Sequence, residues 1–560
     1  MHRRDFLKRA GSVAAMSAAA GGLLDFLEAC GSAGSSAGQS AGQTPLKGGR
    51  IIEGAAADLT NLNSVIAPGN TNNYQISYLI FDGLLTSRAN GDLLPAIAHD
   101  MPSVSPDGLT YTFKLRQDVR WTDGRPVTAD DVVFTYNLMF DPAYRDVPSP
   151  RRGDIETYVQ SIDNPDPYTV VIKTKRLFAP FLVTHGQYGI MPRHVLGEMT
   201  GKQIATADFN TAPTVSNGQF KFSTWAHGDA LTLVRNDTYY GQKAHVDTYV
   251  RKVVADPAAT VDQLKTGEID MAPIGGSFLD AVRADPNLQL FVFGNLSIHW
   301  FAYNLDPSTN AGKIFADRAV RQALVYAIDR RQIVHAAFFD QGAVAQSWVP
   351  PGSWAYNPDT RPAYPFDKKK AMDMLDAAGW KAGPDGIRRK NGVPLAVSWV
   401  AYNIEPYHTI AEIIQSMWKD VGVQVDLKIT AGATGLQIFE FSHAFDVENI
   451  SINWQADPDL SLFFSSRNAV AGGLNGMSYK STELDAMLDQ AVSTLDRAKR
   501  KDLYARIQDF LATEMPACPL VSPRTLVGAT KRVRGAEFSY GGLGVPQHPW
   551  VRGAWVADGK

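Results

Sequence analysis

Cysteine is nearly missing from this chain: 560 residues contain two, Cys30 and Cys518. With Cys30 in a leader segment, one internal thiol remains, which excludes an intramolecular disulfide and a cysteine metal cluster. Cys518 lies in Met515-Pro516-Ala517-Cys518-Pro519-Leu520 without a His neighbour, and is expected to be a buried small hydrophobe. Long apolar runs are also missing, since no segment reaches eighteen residues, so no membrane-spanning helix is expected. Charge of one sign is not in excess. Lys plus Arg is 54 against 57 Asp plus Glu, and residues 31–560 carry 50 against 54. Such a balance gives no field for nucleic acid, and no nucleic-acid partner is expected. Enzyme signatures are missing as well: there is no phosphate loop, no G-x-G-x-x-G opening a helix and no H-E-x-x-H. Gly34-Ser35-Ser36-Ala37-Gly38 fits G-x-S-x-G, but no strand precedes it and no helix follows. The 11 His are scattered singly, so neither a metal site nor a cofactor is expected. What the chain does have is 11 Trp, 20 Tyr and 26 Phe, enough for large cores with aromatics to spare for a ligand.

The first thirty residues read as an address rather than a fold. Arg3-Arg4-Asp5-Phe6-Leu7-Lys8 resembles the twin-arginine export signature, with His2 where Ser or Thr is usual. The mildly apolar run Ala10–Leu24 would reach about 22 Å as a helix, short of a roughly 30 Å bilayer core. Leu27-Glu28-Ala29-Cys30 resembles a bacterial lipobox, in which Cys30 is acylated; Glu28 departs from the small residue expected there. Gly31–Gln43 contains only Gly, Ser, Ala and Gln. With Thr44–Leu46 it makes a tether of r.m.s. reach about 20–24 Å. The expected location is therefore outside the cytoplasm, at the outer face of the cell membrane, in the periplasm or on the cell surface.

Beyond the tether, strand and helix signals alternate. Tyr111, Phe113 and Leu115 alternate with polar residues between the turn signals Asp107-Gly108 and Asp123-Gly124, which predicts a β-ribbon continuing through Val119 and Trp121. Thr128-Ala129-Asp130-Asp131 predicts a capped helix start. Ile410, Ile413, Ile414, Met417 and Trp418 form one helical face, stopped at Gly422. Leu395–Val400 and Val423–Ile429 read as strands. An α/β protein with composite lobes is expected.

Gly91–Tyr136 carries S-x-D-G, Y-T-F-x-L-R, W-x-D-G-x-P and T-A-x-D-V in succession. This resembles the family 5 extracellular solute-binding proteins, the peptide- and nickel-binding group that serves ABC importers. Arg235-Asn236…Tyr239…Gly241, Gly267-Glu268-Ile269-Asp270, the helix Arg318–Val334, the loop Trp348–Ala355 and Lys370–Trp380 extend the resemblance over about residues 48–545. Asn217-Gly218-Gln219-Phe220 departs from the family's G-T-G-P-F. The resemblance implies a two-lobed, hinged, periplasmic-binding-protein-like α/β fold. Residues 47–90, 206–303 and 520–560 would form lobe one, 91–205 a β-rich subdomain inserted in it, and 304–519 lobe two. The hinge would run through Trp300–Asn304 and Cys518–Pro523.

The implied function is capture of an oligopeptide or peptide-like ligand between closing lobes, without bond chemistry, for delivery to an ABC permease and its ATPase. The protein would act as a monomer. An exported enzyme, or the same fold binding a nickel complex, an oligosaccharide or an opine, remains the alternative. Asn453-Trp454-Gln455-Ala456-Asp457 resembles the W-x-A-D stretch of peptide binders. By that match Asp457 would pair with a ligand ammonium, Trp454 would form an aromatic wall, and Gln455 would be its polar neighbour. Thr71 and Asn72, in a loop with Gly69 and Asn70, and Trp300 beside His299 match lining positions. No Arg lies between Arg389 and Arg467, where some peptide binders place one for the ligand carboxylate, so Lys428 or another lobe would do that work, or the ligand is not a free short peptide.

Overall fold

A computed structural model describes residues 44–66, 71–88, 91–536 and 550–559. Arg3, Arg4, Cys30, Gly69 and Asn70 lie outside the described residues, as do the side chains of Thr71 and Asn72. The chain enters on β1 (Arg50–Ala55) and α1 (Thr71–Ile80). It then forms an antiparallel sheet from Ser103–Val104, β2 (Thr110–Lys114), β3 (Val159–Asp166) and β4 (Thr169–Thr174). Helices α2 (Ala129–Phe140) and α3 (Arg152–Tyr158) stand between β2 and β3, so this insertion is mixed rather than β-rich. Along β2, Tyr111 and Phe113 turn inward as their alternation predicts. The strand stops at Lys114, and the run toward Trp121 keeps only isolated bridges, Ala98 to Leu115 and Arg120 to Pro126. Helix α2 starts where its cap predicts, with Asp131 accepting the Thr128 amide at 3.0 Å.

After the insertion come β5 (Phe220–Ala226), β6 (Ala230–Arg235), β7 (Thr248–Val253), β8 (Met271–Pro273) and β9 (Leu288–Gly294). The second lobe follows with β10 (Ser297–Tyr303), β11 (Ala396–Tyr402), α4 (Tyr407–Lys419), β12 (Gln424–Thr430) and β13 (Val447–Asn453). Its last helices are α5 (Thr482–Ser493) and α6 (Arg497–Glu514). Strand β14 (Ala517–Thr530) then returns to lobe one. One long path of strands joins both lobes, in the order β12-β11-β13-β10-β14-β8-β1-β7-β6-β5.

Strand β14 makes that continuity possible. Its first part, Ala517–Val521, pairs with β10 of lobe two, and Arg524–Thr530 pairs with β9 of lobe one. Strand β10 pairs with β13 from Ser297 to Tyr303, entirely within lobe two. The first crossing therefore falls at Asn295–Leu296, upstream of the Trp300–Asn304 expected from sequence. The physical reason is burial: every residue of β10 is buried, as in a strand covered on both faces. The second crossing lies at Pro523–Arg524, where β14 leaves the lobe-two strand Gly342–Val344 for β9 of lobe one.

Each lobe has a large core. Lobe two is built on Phe301, Trp399 and Trp418, whose rings lie 5.0–5.6 Å apart. The lobe-one core runs from Ile51 and Tyr249 into Phe113, Trp121 and Tyr136 without interruption, so the insertion shares it. Cys518 is fully buried and its thiol is pushed up to about 12 by desolvation, which makes it a packing group.

Candidate functional site

A cavity of about 460 Å³ lies where the insertion and lobe two meet beside the Asn295–Leu296 crossing. Gly91, Asp92, Leu93 and Val183 line it from one side, Leu296 from the crossing, and Gly352, Ser353, Trp354, Ala456, Asp457 and Arg497 from the other. Its size falls in the range of small-molecule pockets. The lobes touch around it. The Ala179 amide donates to the Val492 carbonyl at 2.6 Å, and Val492, at the end of α5, packs into the core of the other lobe. Gly91 has φ +84° and approaches Ala456 so closely that a Cβ there would stand 2.8 Å from the Ala456 Cβ. A side chain at Gly91 would collide on both counts.

Asp457 lines this cavity, and it has a partner within the protein. Both its oxygens accept from Arg500 on α6, Oδ2 from Nη1 at 2.6 Å and Oδ1 from Nη2 at 2.5 Å. The side chains are 10% and 4% exposed. Arg500 is anchored further by donating from Nε to the Ala491 carbonyl at 3.0 Å. A carboxylate offers about four lone-pair sites, so a fork taken by arginine still leaves acceptor capacity toward the cavity. Asp459, two residues on, accepts from the amide and hydroxyl of Ser461, and burial holds its carboxyl above the usual range. Asp154 on α3 is raised too, first by the protein around it and then by Asp459 facing it from the other lobe.

The two tryptophans named from sequence stand behind the cavity. Trp454 is 4% exposed, donates from Nε1 to the Trp348 carbonyl at 2.5 Å and meets Phe463 edge-on. Trp300 is 1% exposed among Phe439, Phe463 and Phe464. Both belong to the lobe-two core. His299 points to the opposite sheet face, against Phe338 and Tyr407, and burial lowers its pKa to about 4. Gln455 is exposed. Thr71 and Asn72 open α1. Lys428 is bonded to Asp426 and does not line the cavity.

Two lining residues went unseen in the sequence. Trp354 is the aromatic wall, with the Arg497 guanidinium 5.0 Å and that of Arg500 5.1 Å from its ring centroid. Arg497 opens α6. The signal that could have found these arginines is Arg497-Ala498-Lys499-Arg500-Lys501, basic residues crowded into the first turn of a helix, where the dipole disfavours cations. Among the described residues, no three His, Cys, Asp or Glu form a group able to hold a metal. No helix among them is long and apolar enough to cross a membrane.

Two lobes joined by paired strand crossings, with a cavity between them, define a solute-binding protein of the periplasmic-binding class. The family model for bacterial extracellular solute-binding proteins, family 5, matches residues 92–471, and the chain belongs to that family. It is 28% identical over 522 residues to the oligopeptide-binding protein AppA of Bacillus subtilis, covering 92% of this chain and 94% of the relative. The solved structure of that AppA in complex with a nonapeptide superposes with TM-score 0.77 at 26% identity, over 92% of this chain and all 100% of that one. NikZ of Campylobacter jejuni, in complex with Ni(L-His), is similar at TM-score 0.77 and 27% identity, over 90% and 99%.

Proposed function

We propose that this protein captures an oligopeptide or peptide-like solute between its lobes and presents it to an ABC permease and its ATPase. The observation that carries this reading is the inter-lobe cavity, which combines an aromatic wall, Trp354, with an acid, Asp457, and a base, Arg497. A peptide main chain offers an amine, a carboxylate and amides, and a cavity with both charges suits it better than it suits a neutral sugar. The likeness to an oligopeptide-binding protein over nearly the whole chain supports the same reading. Asp457, oriented by Arg500, takes the ligand ammonium with its remaining lone pairs. Trp454 and Trp300 act from behind, by holding the segment that presents Asp457, and Gln455, Thr71 and Asn72 border the entrance. The mechanism is binding and closure, a population shift driven by a ligand that touches both lobes. Lobe two is assigned residues 297–523, with the hinge at Asn295–Leu296 and Pro523–Arg524.

Purification under native conditions, followed by denaturation and mass spectrometry of released small molecules, tests this. A mixture of short peptides is the expected result; a bound metal–amino-acid complex or an opine with no peptide overturns it.

We propose further that Arg3 and Arg4 direct export, that Cys30 carries a lipid tether, and that the protein acts outside the cytoplasm as a monomer. Cys30→Ala is expected to release it into the soluble extracytoplasmic fraction. Retention of the variant on membranes after carbonate washing would show that Cys30 is not the anchor.

A further inference from the structure

We infer that the corner between α5 and α6, with Val492 at its tip, is a latch that holds the two lobes together whatever solute lies between them. The latch is a property of the chain itself and holds whether or not the solute is a peptide. The last carbonyls of a helix have no partner inside it and must find donors elsewhere. At the end of α5 the Gln490 carbonyl accepts from the Thr494 hydroxyl at 2.7 Å, and the Ala491 carbonyl from Arg500 Nε at 3.0 Å, both within lobe two. The Val492 carbonyl takes its donor from the other lobe, the Ala179 amide at 2.6 Å.

The side chains divide in the same way. Leu484, Leu488 and Ala491 of α5 lie in the lobe-two core. Val492, 8% exposed, is the one lobe-two residue, among the described residues, that packs with the buried core of lobe one. Three residues on, Leu495 crosses to the turn that precedes β2. A Cβ on Gly108 would run into Leu177 Cδ2 and stand 3.0 Å from Leu495 Cδ1, so leucines of both lobes crowd that backbone. Leu177 and Ala179 flank Phe178, which is buried and stacked on Tyr158 of α3, so the insertion presents a firm seat. Arg500 sets the corner in place: the guanidinium that grips Asp457 through both Nη atoms also holds the Ala491 carbonyl. None of Leu177, Ala179, Val492 and Leu495 lines the cavity. Their burial and the Ala179–Val492 bond form only when the lobes meet, and they form equally for every ligand that lets the lobes meet. A ligand shifts closure only by contacts that differ between the two states. The latch adds a constant contribution to closure, which lets solutes of varied side chains be retained without contacts specific to each.

The test needs no ligand. Spin labels at Lys173→Cys on β4 and Lys419→Cys on α4, both exposed positions in opposite lobes, report the inter-lobe distance by pulsed electron resonance. The full-length, ligand-free protein carries Cys30→Ala, and Cys518 is fully buried, so only the introduced thiols react. With Val492 intact, a short distance should dominate. Val492→Ala, by removing two buried methyl groups, should lower the closed-to-open ratio roughly tenfold. Val492→Asp, which sets a charge against an apolar core, should leave the long distance dominant. Leu488→Ala, one turn earlier in the lobe-two core, should lower the melting temperature and leave the distances unchanged. A short distance that survives both Val492 substitutions, or that Leu488→Ala also abolishes, overturns the latch. So does a long distance dominating with Val492 intact.

Discussion

Asp457→Asn should destabilise lobe two by about 3–5 kcal/mol, the usual consequence of stranding one partner of a buried ion pair. The stranded partner is Arg500, 4% exposed, which the substitution leaves with the Ala491 carbonyl and the Tyr504 hydroxyl. Denaturant unfolding of ligand-free protein followed by tryptophan fluorescence measures the loss. Asp457→Leu combined with Arg500→Met, which removes both charges and keeps the volume, should recover most of the loss. A single-substitution effect below about 1 kcal/mol would mean that the pair is solvated in solution and that its surroundings are looser than the structure indicates.

Glu448 supplies the second large effect, through pH. It sits on β13 opposite Ala302 and Val400, fully buried, and neither carboxylate oxygen has hydrogen-bond geometry to any described residue. Desolvation pushes its pKa from 4.5 up to about 9, and the phenol of Tyr402 offsets only part of this. The folded state therefore holds a proton that the unfolded chain releases above pH 4.5. Stability contributed by that proton is fully present below 4.5 and is lost progressively as pH rises toward about 9. By pH 7.5 the loss should be about 4 kcal/mol relative to pH 4.5. Glu448→Gln keeps the shape without a titrating proton. It should be more stable than wild type by about that amount at pH 7.5 and equal to it near pH 4, in paired denaturation curves. Parallel pH profiles for the two proteins would show that Glu448 is ionised in the folded state.

Much of this molecule is written locally. The alternation of Tyr111 and Phe113, the Thr128–Asp131 cap and the Ile410–Trp418 face each depend on residues a few positions apart, and each appears as the element expected. The run of motifs from Gly91 to Tyr136 pointed to the family, since those turns and caps are short-range chemistry readable along the chain. Asp457 was singled out by a motif match and lines the inter-lobe cavity. Its pairing was not legible. Arg500 is 43 residues away, and Trp354 reaches Arg497 only after the loop following Trp348 folds back onto α6. Trp300 and Trp454 looked like lining residues because sequence shows that a tryptophan is present without showing which sheet face it occupies. The faces are set by pairing between β10, β13 and β14. Composition, motifs and local caps decided what kind of protein this is. Only long-range packing decided which acid is already paired with an arginine, because charge partners in a lobed protein are chosen by proximity in space rather than along the chain.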